Sequence, residues 1–373
     1  MAALNGRMVS CPFVGGTDVD RRAVLTAAAV LSVGALLGGC QNPMATSRVS
    51  HPAMSFPAPH GQTALLTARA SGAALRRATA VLAQRVRSSR TGVIGLGYGV
   101  FDKLGLVDRR PLGLAPMETF AGDILDPART DADLVVQVDG RSPDGAAETL
   151  SSVLRGVDEF DVSWQAVLSR EDNQPEHGRA LNQNVFGFTE GLANPSTEAE
   201  EAIDQTVLVG AGSDEPAWVV GGTYLAVRVL KVSHPLWDAE SIELQEQIIG
   251  RRRDGTWLDG TSAKNEPDFA GDPDGAVTPL DSHVRLLNPR DGAAPPVMLR
   301  RSWTWSTDAA SRGAGLFFMA FQADLDEGFR RAQERLAGSR LDRYVLATGG
   351  GYFLVPPDRV GEQPWEDALF SSG

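Results

Sequence analysis

An α+β fold built from two successive mixed halves is what this sequence predicts, and three observations carry it. The chain has 373 residues, enough for a large domain or two packed ones. Helix and strand signals intermix through the first half and again through the second, rather than forming long sheets followed by helix bundles. Between the two passes lies a Gly/Asp/Pro cluster, residues 210–216 (GAGSDEP), which reads as a boundary. The halves are accordingly placed at 63–212 and 213–373.

Residues 1–40 read as an address. Arg21 and Arg22 precede a small Ala/Leu-rich run, residues 23–37, flanked and interrupted by Gly34, Gly38 and Gly39. The run is shorter than the about 20 apolar residues a membrane span needs, and a charged segment before such a run is a secretory signal. The arginine pair is similar to a twin-arginine signal, which exports proteins already folded around a cofactor. Asp20 stands where that pattern prefers Ser or Thr, and Val24 where it prefers Phe. A buried core helix preceded by two arginines is the alternative. Residues 37–40 (LGGC) also resemble a lipobox, which would lipidate Cys40 and anchor the chain; ordinary cleavage in the same region is the other reading. Either way an extracytoplasmic protein is expected. Residues 41–62, with Pro43, Pro52, Pro57 and Pro59, read as a flexible tether.

In the body, residues 63–86 set Ala and Leu among Arg and Gln at helical spacing and predict an amphipathic helix. Residues 93–100 (VIGLGYGV) and 133–138 (DLVVQV) predict strands, 146–156 a helix and 162–169 a strand. In the second half, residues 218–232 (WVVGGTYLAVRVLKV) give the strongest strand signal. A helix over 238–249 follows, then a buried strand over 315–321, a helix over 324–337, and a glycine-rich entry to a strand ending near 355.

Composition narrows the function classes. The apolar fraction of 42% supports a substantial core. A net charge of −12 disfavours nucleic acid and anionic membranes as partners. The only cysteines are Cys11 and Cys40, so the body holds no disulfide framework, cysteine zinc site or cysteine-ligated cluster.

Three segments suggest chemistry. His283 lies in DSHVRLLNPR, residues 281–290, followed by cations at Arg285 and Arg290. Neutral imidazole is a common iron ligand, and cations suit a carboxylate-bearing ligand; taken alone, the segment also fits a surface or capping histidine. Residues 186–195 (FGFTEGLANP) flank one acid, Glu190, with glycines that allow close backbone approach to a flat ligand; an exposed turn glutamate is the plainer reading. Residues 298–305 (MLRRSWTW) read as a strand with one arginine inward and one outward, or as an edge strand with solvent arginines.

Together these segments resemble the dye-decolorizing peroxidase family, from about residue 63 to about 356. Gly187-Phe-Thr-Glu190-Gly191 is similar to the family's Gly-x-x-Asp-Gly motif, and Ala193-Asn194-Pro195 continues it. The His283 segment resembles the proximal-histidine motif and Leu299-Arg300-Arg301 the distal-arginine segment. Gly221-Gly-Thr-Tyr-Leu225, Ile249-Gly-Arg251 and Thr348-Gly-Gly-Gly-Tyr-Phe353 resemble flanking segments. The arginine pair points to the exported bacterial branch, which includes deferrochelatase/peroxidases. One departure is Glu190, where the family has Asp.

The resemblance implies two ferredoxin-like sub-domains with antiparallel sheets and one haem b per chain, held against the C-terminal one. It implies a peroxidase that takes hydrogen peroxide and an organic donor such as a dye or phenol. Release of iron from haem, or haem carriage with little turnover, are the alternatives. His283 would ligate iron, with Asp324 on its other ring nitrogen. Arg300 would stabilise charge developing on peroxide, and Glu190 would shuttle its proton. Gly191, Leu192 and Ala193 would line the haem on one side, and Asn288 and Pro289 on the other. Arg251 and Arg290 would face its propionates. Homo-oligomers and electron entry through Trp303, Trp305, Tyr224 or Tyr352 are further expectations.

Overall fold

The computed structural model describes residues 51–307 and 314–371. The expected signal, with Arg21, Arg22 and Cys40, lies outside the described residues, as does 41–50 of the expected tether.

The first half runs β1 (His60–Ala68), α1 (Gly72–Ser89), β2 (Gly92–Gly97), α2 (Val100–Leu104), β3 (Leu134–Gly140), α3 (Pro143–Leu154) and β4 (Phe160–Ser169). Its strands lie in the order β4-β1-β3-β2, each pair antiparallel. Helix α1 buries Leu75, Ala78, Thr79, Leu82, Ala83 and Val86, a spacing of three and four residues that makes one apolar stripe. Helix α3 starts at Ser142, whose hydroxyl accepts from the Gly145 N–H, with Pro143 in the first turn.

A connecting region follows, with β5 (Gln174–Glu176), β6 (Arg179–Gln183), β7 (Thr189–Glu190) and α4 (Glu200–Thr206). The second half is β8 (Thr223–Val232), α5 (His234–Asp238), α6 (Ile242–Ile249), α7 (His283–Leu287), β9 (Leu299–Arg300), β10 (Trp303–Ser306), β11 (Gly315–Gln322), α8 (Arg331–Leu336), β12 (Val345–Val355) and α9 (Trp365–Phe370). Strands β9 and β10 lie along β11 in one continuous register, interrupted at Arg301 and Ser302. The order is then β12-β8-β11-β9/β10, the same antiparallel arrangement as in the first half. Both halves are ferredoxin-like.

The halves join twice. Strand β2 pairs with β12, and β10 pairs with β4 as well as with β11. Eight strands therefore close on themselves, which removes free sheet edges. The interior is aromatic: Trp164, Trp303, Trp305, Phe317, Phe321 and Phe353 pack there with aliphatic neighbours. Helices α1 and α3 cover the outer face of the first half.

Two expectations are corrected. Residues 63–68 are strand, not the start of a helix, because β1 is buried on both faces and shows no alternation to distinguish it from a buried helix segment. Residues 51–62 are packed rather than a tether. His51 is buried, its Nε2 donating to the Pro356 carbonyl and its Nδ1 accepting from the Ala53 N–H.

Candidate active site

Helix α6 sets the position of the histidine. Its C-cap is Gly250, at φ +89, and a Cβ there would lie 2.6 Å from Val284 Cγ2 and 2.7 Å from Ser282 Oγ. Only glycine satisfies both the left-handed backbone and this close approach. The contact seats the start of α7, where His283 is the first residue. Arg285 fixes the preceding loop: its guanidinium donates to Asp272 Oδ2 at 3.0 Å and to the Thr278 carbonyl at 2.7 Å. This cation, read from sequence as available to an anionic ligand, is thus committed to the loop.

His283 Nδ1 is buried and makes no hydrogen bond. Burial, with Arg300 adding to it, lowers the imidazole pKa to about 4. The ring is therefore neutral at physiological pH, the form that ligates metals. Asp324 does not meet it. That carboxylate is exposed and accepts from the Asp326 and Glu327 N–H groups, capping its own turn. The expected pairing of Asp324 with the histidine is corrected: in a helix's first turn, free N–H groups compete for a carboxylate.

Arg300 ends β9. Its backbone N–H and its Nε both donate to Asn194 Oδ1 at 3.1 Å, while Asn194 Nδ2 donates back to the Arg300 carbonyl at 2.8 Å. Three hydrogen bonds from one buried amide thus aim the guanidinium. Its charge acts on Glu190, on His283 and on Arg251. Arg301 points elsewhere, pairing with Asp139 at 3.2 Å, so the two arginines do take opposite sides.

Glu190 sits on β7, paired with Asn182 of β6. Burial pushes its carboxyl above the usual range, opposed by Arg170, then Arg300, then a hydrogen bond from Asn182. Arg170, just after β4, approaches Glu190 to 3.9 Å. Gly191 has φ +91, and a Cβ would lie 2.5 Å from the Ala180 carbonyl. The glycine is needed to turn the backbone over β6. Leu192 packs beside Gly255, and Ala193 is exposed.

On the far side, Arg251 stacks on Trp257, its guanidinium carbon 3.4 Å from the ring centroid, and donates to the Gly255 carbonyl. Burial, then the neighbouring Arg290, lowers its pKa to about 10, so it stays cationic at neutral pH. Arg290 lies 5.1 Å from the Trp257 ring and pairs with Glu266 at 2.9 Å. Asn288 Oδ1 accepts from the Arg290 N–H, and Pro289 stands between them.

Glu190, Arg300, His283 and Arg251 are therefore brought into one electrostatic neighbourhood, with Arg290 and Asn288 adjoining through Arg251. Sequence reasoning missed Arg170, Asn182 and Asn194. Only Asn194 left a signal, standing in the quoted Ala-Asn-Pro. The arrangement offers a neutral imidazole with an unpaired nitrogen, an acid–arginine pair and further cations. It can ligate a metal, bind an anionic ligand and move a proton.

Two family models match the chain: Dyp-type peroxidase, N-terminal, over residues 61–166, and Dyp-type peroxidase, C-terminal, over residues 181–360. A deferrochelatase of Escherichia coli (strain K12) is 34% identical over 275 residues, covering 72% of this chain and 65% of its own length. A deferrochelatase of Shigella boydii serotype 4 matches equally. The chain thus spans just under two thirds of the length of these curated relatives. Among solved structures, a DyP-type peroxidase from Streptomyces coelicolor superposes with a TM-score of 0.73 at 25% identity, covering 85% of this chain and 93% of that one. Ferric DtpA from Streptomyces lividans gives a TM-score of 0.73 at 26% identity, covering 84% and 93%.

Proposed function

The chain belongs to the Dyp-type peroxidase family, and from that premise we propose that it is a haem peroxidase that reduces hydrogen peroxide and oxidises dye-like, phenolic or other organic donors. The observation that carries this is His283, whose buried Nδ1 makes no hydrogen bond, together with Arg300, whose charge acts on both His283 and Glu190.

The residues fit haem. A half-buried imidazole with an enclosed, orphaned Nδ1 suits an iron ligand, and orphaned buried polar atoms are otherwise rare. Arg300 and Arg251 supply positive charge for an anionic porphyrin. Solved DtpA from Streptomyces lividans is described as ferric. His283 would hold the iron, and the C-terminal half would carry most of the pocket. Bound haem iron supplies the redox chemistry that cleaves the O–O bond. The protein's part is charge and proton. Arg300, aimed by Asn194, stabilises negative charge developing on a peroxide oxygen. Glu190, whose ionisation Arg170, Arg300 and Asn182 favour against burial, would accept a proton from hydrogen peroxide and return it to the departing oxygen as water.

The test is peroxide-dependent bleaching of an anthraquinone dye by haem-loaded protein. Turnover that requires both peroxide and haem supports the reading; none, under conditions that retain haem, contradicts it. A second reading, iron release from haem with the porphyrin intact, is favoured by the curated relatives' name, deferrochelatase. It predicts fluorescent free protoporphyrin from added haem. A carrier would do neither, and its ferric spectrum would stay unchanged on mixing with peroxide.

We place the protein outside the cytoplasm, exported by the twin-arginine route and lipid-anchored at Cys40. Arg21-Arg22 before an Ala/Leu-rich run and the LGGC segment support this. Changing both arginines to lysine should trap it in the cytoplasm, and Cys40→Ser should release it from membranes.

A further inference from the structure

We propose that Arg170 and Asn182 form a holder for the Glu190 carboxylate, with Arg170 fixing the Asn182 amide so that its NH2 group faces the acid. This rests on the reading of Glu190 as the proton acceptor and adds two positioning residues to it.

Arg170 is held from several sides. Its side chain is 3% exposed. Its backbone N–H donates to the Pro59 carbonyl at 2.9 Å and its Nη1 to the Ser302 carbonyl at 3.1 Å. Its guanidinium lies 5.5 Å from the Trp303 ring. Its Nη2 donates to Asn182 Oδ1. That bond decides which way the amide points. With Oδ1 taken by the guanidinium, the NH2 end remains, donating to the Gln183 carbonyl at 3.1 Å and to Glu190. A flipped amide would set NH2 against a cation and a carbonyl against a carboxylate, both repulsive.

The arrangement suits the longer acid. Arg170 comes within 3.9 Å of Glu190 Oε1, whereas Arg300 acts on the carboxyl from further away. Glutamate is one methylene longer than aspartate, and here it stands across from Asn182 of β6 with Arg170, just after β4, beside its carboxylate. The charged groups facing Glu190 are Arg170 and Arg300. Arg301 and Asp139 act on Arg170 with opposite signs while paired to each other.

The test uses full-length, haem-loaded protein with Arg170→Gln, Arg170→Lys, Asn182→Leu and Glu190→Gln, and two readouts. The first is the pH profile of the second-order rate with hydrogen peroxide. An opposite charge at this range moves a carboxyl by about one unit or more. The acid limb of Arg170→Gln should therefore shift up by about one pH unit, with the lysine variant lying between it and the parent. Asn182→Leu should shift the same way. If Glu190→Gln abolishes the limb but Arg170→Gln leaves it in place, the holder is wrong. If Glu190→Gln changes neither rate nor profile, the proton-acceptor reading fails instead, and the second readout judges the holder.

That readout is unfolding stability against pH. The folded Glu190 carboxyl lies above its free value of 4.5, so it loses stability as pH rises from there. Losing Arg170 raises it further. The gap between parent and Arg170→Gln should thus widen with rising pH, and the widening should vanish when Glu190→Gln is also present. Widening that persists without the carboxyl overturns the proposal. Should Arg170→Gln not fold, Asn182→Leu carries both readouts.

Discussion

At the scale of single residues, the proposed reaction would divide charge stabilisation and proton transfer between Arg300 and Glu190, and the division would be unequal. A guanidinium is cationic at any working pH, whereas Glu190 depends on its neighbours to ionise. Arg300→Leu should slow the peroxide reaction by about 10²–10³, and Glu190→Gln by less, because water can relay a proton. Stopped-flow absorbance decides; a Glu190→Gln variant slower than Arg300→Leu would reverse the order. Asn194→Ala leaves the Arg300 N–H and guanidinium without their shared acceptor, a loss of about 1–3 kcal/mol for buried donors. It should slow the same reaction while leaving haem bound, as absorbance at the Soret band would report. His283, Glu190 and Arg300 could be singled out only because their segments together resemble the family, since each segment alone also fits a surface histidine, an exposed turn glutamate or an edge-strand arginine. Arg170, Asn182 and Asn194 could not be, because an arginine or asparagine at a strand end carries no period and its partner is fixed only by the fold.

At the scale of elements, the packed segment before β1 makes the most specific prediction. The His51 ring donates from Nε2 and accepts at Nδ1, so a second proton would place a donor against the Ala53 N–H. Burial accordingly lowers its pKa from 6.5 to about 4. The folded state binds fewer protons than the unfolded one between these values, so stability is full above pH 6.5 and falls as pH drops toward 4. The loss is at most about 3 kcal/mol for a shift of this size. Urea unfolding across that range should show the decline, and His51→Gln should flatten it; an unchanged slope would mean the ring is not buried in solution. The prolines around His51 read as a tether because sequence reports what a segment would do alone, not the carbonyl of Pro356 some 305 residues away. Strand β1 was hidden for a related reason, since burial on both faces erases its alternation. Strand β11 was legible because its apolar run is short and bounded.

At the scale of the whole molecule, the barrel makes the two halves one structure. The buried pair Asp139–Arg301 crosses between them, from β3 to the break between β9 and β10. Removing one partner strands a buried charge, so Arg301→Met should cost about 3–5 kcal/mol, while Arg301→Met with Asp139→Leu should cost much less. Denaturant unfolding would measure both, and equal losses would deny the pairing its role. The two mixed halves could be anticipated from the repeated passes, and their ferredoxin-like topology only from the family resemblance, but their closure through β10 could not, because one short strand pairs on both edges. The central proposal is that His283 ligates haem. The direct measurement is the absorption spectrum of His283→Ala, purified after expression with haem beside the parent chain. The account predicts loss of the Soret band or of most bound haem, with the fold retained by circular dichroism. A full complement of haem with the parent's spectrum in that variant would contradict it.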